Sequence, residues 1–212
     1  MPQVYNEKLY DLLTGDRTKG LDIHQGPDGT YIGNLSSEFV HTPADVQATM
    51  DKGEKHRSVA STKMNSDSSR SHLMLQLKVV GVNKISHVRT VGKLTLVDLA
   101  GSERISKTEA SGDRLVEAAA INKSLTALGQ VFAALANNSP HVPYRNSKLT
   151  HALQDSLGGD SKTCVFVALS PLESNLAETH STLKFGQNIR KIELGPATRR
   201  TGAGPPKPMP KK

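Results

Sequence analysis

Three polar segments gather hydroxyls, glycine or charge at the mouth of an apolar stretch, where a folded chain can do chemistry. Residues 65–72, NSDSSRSH, hold four serines, an asparagine and an arginine just before an alternating apolar run. Such a set can order water, a divalent cation or an anion, and the same composition suits a solvated loop. Residues 96–104, LVDLAGSER, put Asp98 inside an apolar strand and Gly101 three positions on. A buried, ionised carboxylate needs a partner. An acid so placed can hold Mg²⁺ while the glycine lets a backbone N–H approach a terminal phosphate; an aspartate capping the next turn gives the same pattern. Residues 141–151, HVPYRNSKLTH, set Arg145, Lys148 and His151 three apart, on one face of a helix that begins near Asn146. That is a cationic cluster or simply a solvated helix start.

The elements that must position these segments alternate between strand and helix. Thr42-Pro43-Ala44-Asp45 combines a capping hydroxyl, a proline at the first helical position and an acid at the third, so a helix runs into the fifties, with Gly53 a weak point. Leu73, Leu75, Leu77 and Val79 alternate with His72, Met74, Gln76 and Lys78, the period of a strand whose second face is the wetter one. Leu94 to Leu99 and Val165 to Leu169 are continuously apolar and read as central strands covered on both sides. Ile121, Leu125, Leu128, Phe132 and Leu135 draw one stripe down a long helix that Asn137, Asn138 and Pro140 stop. A shorter helix from Ser147 carries Leu149, Leu153 and Leu157 to Gly158-Gly159, and Asn175 and Glu178 can cap a last one. Together these predict an α/β layered sheet flanked by helices.

Composition narrows the function classes. The 212 residues, 36% of them hydrophobic, suit one core, and no apolar run approaches the roughly 18 residues that cross a bilayer. The lone Cys164 excludes an internal disulfide and, inside an apolar run, is expected to be buried. Of the 27 basic residues, five lie between Arg199 and Lys212, where there is no acid; the remaining 22 face 20 acids, a balance of +2. A general nucleic-acid surface is not supported, and the aromatic-free tail offers nothing for base stacking or membrane insertion. The expected organisation is one domain over residues 1–196 and a disordered, basic, Pro/Gly-rich tail over 197–212.

Six strings in one order now converge: YNEKLYDLL at Tyr5, NSDSSRSH at Asn65, LVDLAGSER at Leu96, INKSLTALG at Ile121, HVPYRNSKLT at His141 and LQDSLGG at Leu153. In this order and spacing they resemble the kinesin motor domain, from Val4 to about Ile192. GDRL at Gly112 and IELGPATRR at Ile192 look like the subfamily whose motor sits at the C-terminus and moves toward microtubule minus ends. The resemblance implies a P-loop nucleotide-hydrolase fold, ATP and Mg²⁺ as cofactors, microtubules as partner, and a place on the cytoskeleton in the cytoplasm. Dimerisation would need a neck coiled coil that these residues do not contain.

Carried over residue by residue, Asn65 to His72 matches the first switch loop. Asn65 would face the nucleotide, and Ser68 and Ser69 would organise the Mg²⁺ shell and the attacking water. Arg70 would pair with Glu103, Asp98 would hold Mg²⁺ through water, and the Gly101 N–H would sense the γ-phosphate. Asn122 would begin the coupling into the long helix. Arg104, Lys107, His141, Arg145, Lys148 and His151 match positions that face tubulin, with His151 standing where many kinesins have arginine.

One part of the pattern is missing. A G-x-x-x-x-G-K-S/T loop, whose N–H groups and lysine cradle phosphates, does not occur; GDSKT at Gly159 and Gly92-Lys93 do not satisfy it. In the family that loop precedes the point matched by Val4, together with a central strand expected between Leu94 and Val165. The resemblance therefore implies a chain that begins inside the motor, and the expectation is that it does not hydrolyse ATP alone. Its function is either that of an enzyme segment, catalytic in the complete protein, or that of a non-catalytic microtubule-binding pseudo-motor.

Overall fold

The computed structural model describes residues 1–26, 29–61, 70–101, 112–158, 161–192 and 201–203. Its main sheet is antiparallel throughout and runs in the order β2 (Lys8–Asp11), β1 (Pro2–Tyr5), β5 (His72–Val82), β6 (Val88–Asp98) and β7 (Thr201–Ala203). β1 (Pro2–Tyr5) and β2 (Lys8–Asp11) form a hairpin whose two turn residues, Asn6 and Glu7, both have positive φ. A two-residue hairpin needs that handedness to match strand twist, and asparagine tolerates it better than glutamate. β3 (Ile23–Gly26) and β4 (Gly29–Ile32) form a separate hairpin. β5 (His72–Val82) and β6 (Val88–Asp98) make a long ribbon from Leu73↔Asp98 to Val82↔Arg89.

The first helix, α1 (Pro43–Ser61), starts where its cap predicts. The Asp45 N–H donates to Thr42 Oγ1 at 3.2 Å, and Asp45 Oδ2 accepts from the His41 and Thr42 N–H groups at 2.8 and 2.9 Å. Gly53 does not break the helix. It is buried where a Cβ would stand 2.5 Å from Met1 Sδ, so the missing side chain lets α1 approach the sheet.

Around β1 and the head of β5 the sheet is covered on both sides, with an allocation opposite to the one polarity suggests. Leu73 and Leu75 pack half-buried with Met1, Leu12 and Leu13, while His72 and Met74, expected on the wetter face, are 2% and 0% exposed. Met74 joins Val4, Leu9, Leu128, Val131, Phe132, Leu149 and Leu153 in the larger core. That core is closed by α2 (Asp113–Ala136), α3 (Lys148–Ala152), α4 (Gln154–Leu157) and α5 (Leu176–Ile189), with Phe132 of α2 edge-on to Phe185 of α5 at 5.8 Å. Histidine can sit there because both ring nitrogens are engaged.

Other expectations are corrected. The run read as one helix from Ser147 divides at Leu153 into α3 and α4, although Leu149, Leu153 and Leu157 are all buried as the stripe requires. Asn175 stands at the start of α5, but its amide donates to Ser170 Oγ at 3.0 Å and caps nothing. Leu94 and Leu96 are each 51% exposed, and Val165 to Leu169 form no strand, with Phe166 93% exposed and Cys164 exposed as well. Continuous apolarity marks a segment that can be doubly covered; Leu94 to Asp98 pair with β5 along one edge, and among the described residues no strand pairs with their other edge or with Val165 to Leu169. β7 (Thr201–Ala203), inside the tail expected to be unstructured, pairs with Val88–Thr90 through backbone bonds that need no apolar side chain. Residues 204–212 lie outside the described residues.

Candidate nucleotide-switch and microtubule-facing sites

Of the residues singled out in the sequence, Asn65, Ser68, Ser69, Glu103, Arg104 and Lys107 lie outside the described residues. Arg70 stands just before β5, and its Nη1 lies 2.8 Å from Glu117 Oε2 on α2; Glu103, the partner the resemblance implies, lies outside the described residues. Glu117 is 5% exposed and also accepts from the Tyr5 hydroxyl. A buried carboxylate at the head of α2 thus ties β1, the start of β5 and α2 together. Proximity within the fold selects this partner: Glu117 is 47 residues from Arg70 in the chain.

Asp98 closes β6 with its side chain 66% exposed, which corrects the reading of a buried acid. Its Oδ2 lies 3.4 Å from Nη1 of Arg57, whose side chain is 6% exposed. Arg57 Nη2 reaches Ser71 Oγ at 3.5 Å, Ser71 accepts from the buried Gln3 amide at 2.7 Å, and Gln3 accepts from Arg17 at 2.8 Å. A polar chain therefore runs from the loop after β2, through β1 and the head of β5, to the end of β6. Gly101, half-buried, follows Ala100 at the exit of β6.

His72 sits between these groups. Ala100 N–H donates to Nδ1 at 3.0 Å, which leaves the proton on Nε2 to donate to Ser124 Oγ at 2.7 Å; the Ser124 hydroxyl in turn donates to the Ile121 carbonyl at 2.7 Å. Burial depresses the imidazole to about 4, opposed by the nearby Asp98 carboxylate. Asn122, the expected coupling residue, is half-buried on the same turn of α2.

The basic cluster is assembled as its spacing suggests. Arg145 lies in a 3-10 turn (Tyr144–Asn146), Lys148 and His151 lie on α3, and Ser147 caps α3 by accepting the Thr150 N–H at 3.1 Å. His141 and Arg145 are exposed, Lys148 and His151 partly so. Burial first, then Arg145 and Lys148, lower the His151 pKa. Lys148 is not a free cation: its Nζ pairs with Asp22 at 3.2 Å, and its N–H donates to Glu7 Oε2 at 3.3 Å. Glu7 also lies 3.7 Å from Lys123 Nζ, so the β1–β2 turn braces α2 and α3.

Reasoning from the sequence missed Glu7, Arg57, Glu117 and Ser124. The one available signal was the pair of consecutive turn residues Asn6-Glu7 between apolar strands; the others are ordinary helix residues until the fold brings partners to them.

The sequence matches the kinesin motor domain over residues 1–192. The chain belongs to the kinesin motor-domain family. Its relatives include kinesin-like protein KIN-14R of Arabidopsis thaliana, 50% identical over 204 residues, which are 95% of this chain and 19% of that protein. KIN-14S of the same plant is 49% identical over 201 residues, 93% of this chain and 26% of that protein. This kinesin chain thus spans a minor part of the length of these relatives. Among solved structures it is similar to a fast kinesin, with a TM-score of 0.85 and 42% identity over 96% of this chain and 58% of the other. It is also similar to the C-terminal motor and motor homology domain of Kar3Vik1, with a TM-score of 0.78 and 39% identity over 89% of this chain and 49% of the other. The expected fold class is borne out, with part of the motor domain represented.

The residues present fit a nucleotide and its Mg²⁺ only in part. Asp98 offers an accessible carboxylate and Gly101 an approachable backbone, but no phosphate-cradling string occurs in the 212 residues. Among the described residues no three His, Cys, Asp or Glu side chains gather as a metal site. These kinesin residues alone therefore do not make a complete ATP pocket.

Proposed function

We propose that this chain is the switch-bearing and microtubule-engaging portion of a kinesin motor domain. It docks on microtubules through Arg145, Lys148 and His151, with His141, Arg104 and Lys107 alongside, and in the complete protein it contributes to ATP-driven movement. The observation that carries the reading is the family match over residues 1–192 together with the clustering of Arg145 and Lys148 against His151. Tubulin presents an acidic surface, and a cationic patch favours encounter with one, more so at low salt. The test is co-sedimentation of the purified chain with microtubules at two salt concentrations, with and without ATP. Salt-sensitive binding indifferent to ATP is expected, and no binding at low salt refutes the docking role.

Within the complete motor, the assigned roles are Asn65 at the nucleotide, Ser68 and Ser69 around Mg²⁺ and the attacking water, Asp98 on Mg²⁺ through water, Gly101 at the γ-phosphate, and Arg70 with Glu103 as the switch pair. Mg-ATP would supply the energy of the cycle; this chain's residues orient, hold and release. Similarity to C-terminal-motor kinesins favours minus-end movement, testable by microtubule gliding with the complete protein. A second reading, a pseudo-motor that binds microtubules without catalysis, draws on the absent phosphate-cradling string. Microtubule-stimulated phosphate release from the purified chain would exclude it.

A further inference from the structure

The exit of β6 and the first half of α2 touch through one imidazole whose two nitrogens serve different elements. Nδ1 accepts from Ala100 N–H at 3.0 Å, and Nε2 donates to Ser124 Oγ at 2.7 Å. All three groups are buried, with Ala100 4%, His72 2% and Ser124 1% exposed. The serine does not end the chain of bonds, because its hydroxyl passes on to the Ile121 carbonyl at 2.7 Å, within α2's own backbone. The direction of every proton is therefore fixed from Ala100 to Ile121. The two bonds of the imidazole lie among buried groups, where an unmade bond costs far more than at the surface.

We propose that His72 is a positioning residue, a neutral strut that holds the Ala100–Gly101 peptide and α2 in one register, so that a shift at Gly101 moves α2 and is not absorbed between them. The proposal rests on the reading of Gly101 as the nucleotide-facing glycine only for its use in the motor; the strut itself is a property of this chain. Packing alone does not explain a histidine here, since leucine or methionine would fill the site without satisfying the Ala100 N–H and Ser124 Oγ. The imidazole stays uncharged at neutral pH because burial outweighs the nearby Asp98 carboxylate.

The test needs neither nucleotide nor microtubules, so its failure is separable from failure of the proposed function. Ser124→Ala cuts the strut on the α2 side, and the readout is amide exchange at Ala100, across the ring. Ala100 exchange is expected to rise about tenfold while the β5–β6 ladder amides change less than about twofold. In a His72→Asn background, where Oδ1 still accepts from Ala100 but nothing reaches Ser124, the same Ser124→Ala change should leave Ala100 within about twofold. Imidazole ¹⁵N spectra of the unmutated chain should show the proton on Nε2, with Nδ1 unprotonated. Unchanged Ala100 exchange in Ser124→Ala, a parallel rise across the ladder, or the opposite tautomer overturns the proposal. The single Ser124→Ala measurement decides it even if His72→Asn does not fold.

Discussion

Arg70 Nη1 and Glu117 Oε2 lie 2.8 Å apart, and Glu117 is held on its other oxygen by the Tyr5 hydroxyl. An arginine at the edge of a candidate switch is thereby anchored to the head of α2. Glu117→Ala would take this partner from both the guanidinium and the Tyr5 hydroxyl, and is expected to cost about 2 kcal/mol, discounted for the partial exposure of Arg70. Tyr5→Phe removes the bond to Glu117 while keeping the ion pair, and should cost about 1 kcal/mol. Urea midpoints compare them; equal losses would mean that the ion pair contributes nothing.

His72 gives stability a pH slope. Its pKa is lowered from 6.5 to about 4 in the folded chain, so between those values the unfolded chain binds the extra proton. Stability therefore falls as pH drops from 6.5 to 4, by about 3 kcal/mol, and this contribution is flat outside the window. His72→Asn should abolish that slope. Urea unfolding at pH 7, 5.5 and 4.5 measures it, and a variant retaining the full slope would assign it elsewhere.

The start of α1 depends on Thr42 and Asp45. Thr42→Ala should cost about 1 kcal/mol and speed amide exchange in the first turn. Backbone N–H bonds from His41 and Thr42 hold the Asp45 carboxyl below its ordinary value. That contribution is present above the usual carboxylate range and is lost as pH falls through the lowered value. Unaltered first-turn exchange in Thr42→Ala would show that the cap bond is dispensable.

For microtubule docking, Arg145→Ala should weaken binding about fivefold at low salt, and Lys148→Ala less, because Lys148 already pairs with Asp22. His151 has a lowered pKa and is neutral at pH 7, so His151→Arg should strengthen binding there. In the unmutated chain, protonation of His151 should add to binding only below the ordinary histidine range, because burial and its two cationic neighbours lower its pKa. Co-sedimentation at pH 7.5 and 6.0 separates the two, and a His151→Arg chain no tighter than the original would place His151 off the interface.

What the sequence by itself determined was local. The cap at Thr42 set the start of α1, the stripe from Ile121 to Leu135 set α2, and the spacing of Arg145, Lys148 and His151 set one cluster, because each depends on neighbours within a turn or two. The ordered motifs also identified the family, since each string keeps its place along the chain. Tertiary structure decided which face of β5 is buried, because alternation has two phases and polarity chose the wrong one for His72 and Met74. It decided that Asp98 is exposed and that Val165 to Leu169 form no strand, because pairing and burial of an apolar run depend on which distant elements come to its edges and faces. It chose Glu117 for Arg70 and Ser124 for His72, partners 47 and 52 residues away, which no local spacing encodes. Charges and hydrogen-bonding groups pair by distance in space, and that distance exists only after the sheet and α2 have packed.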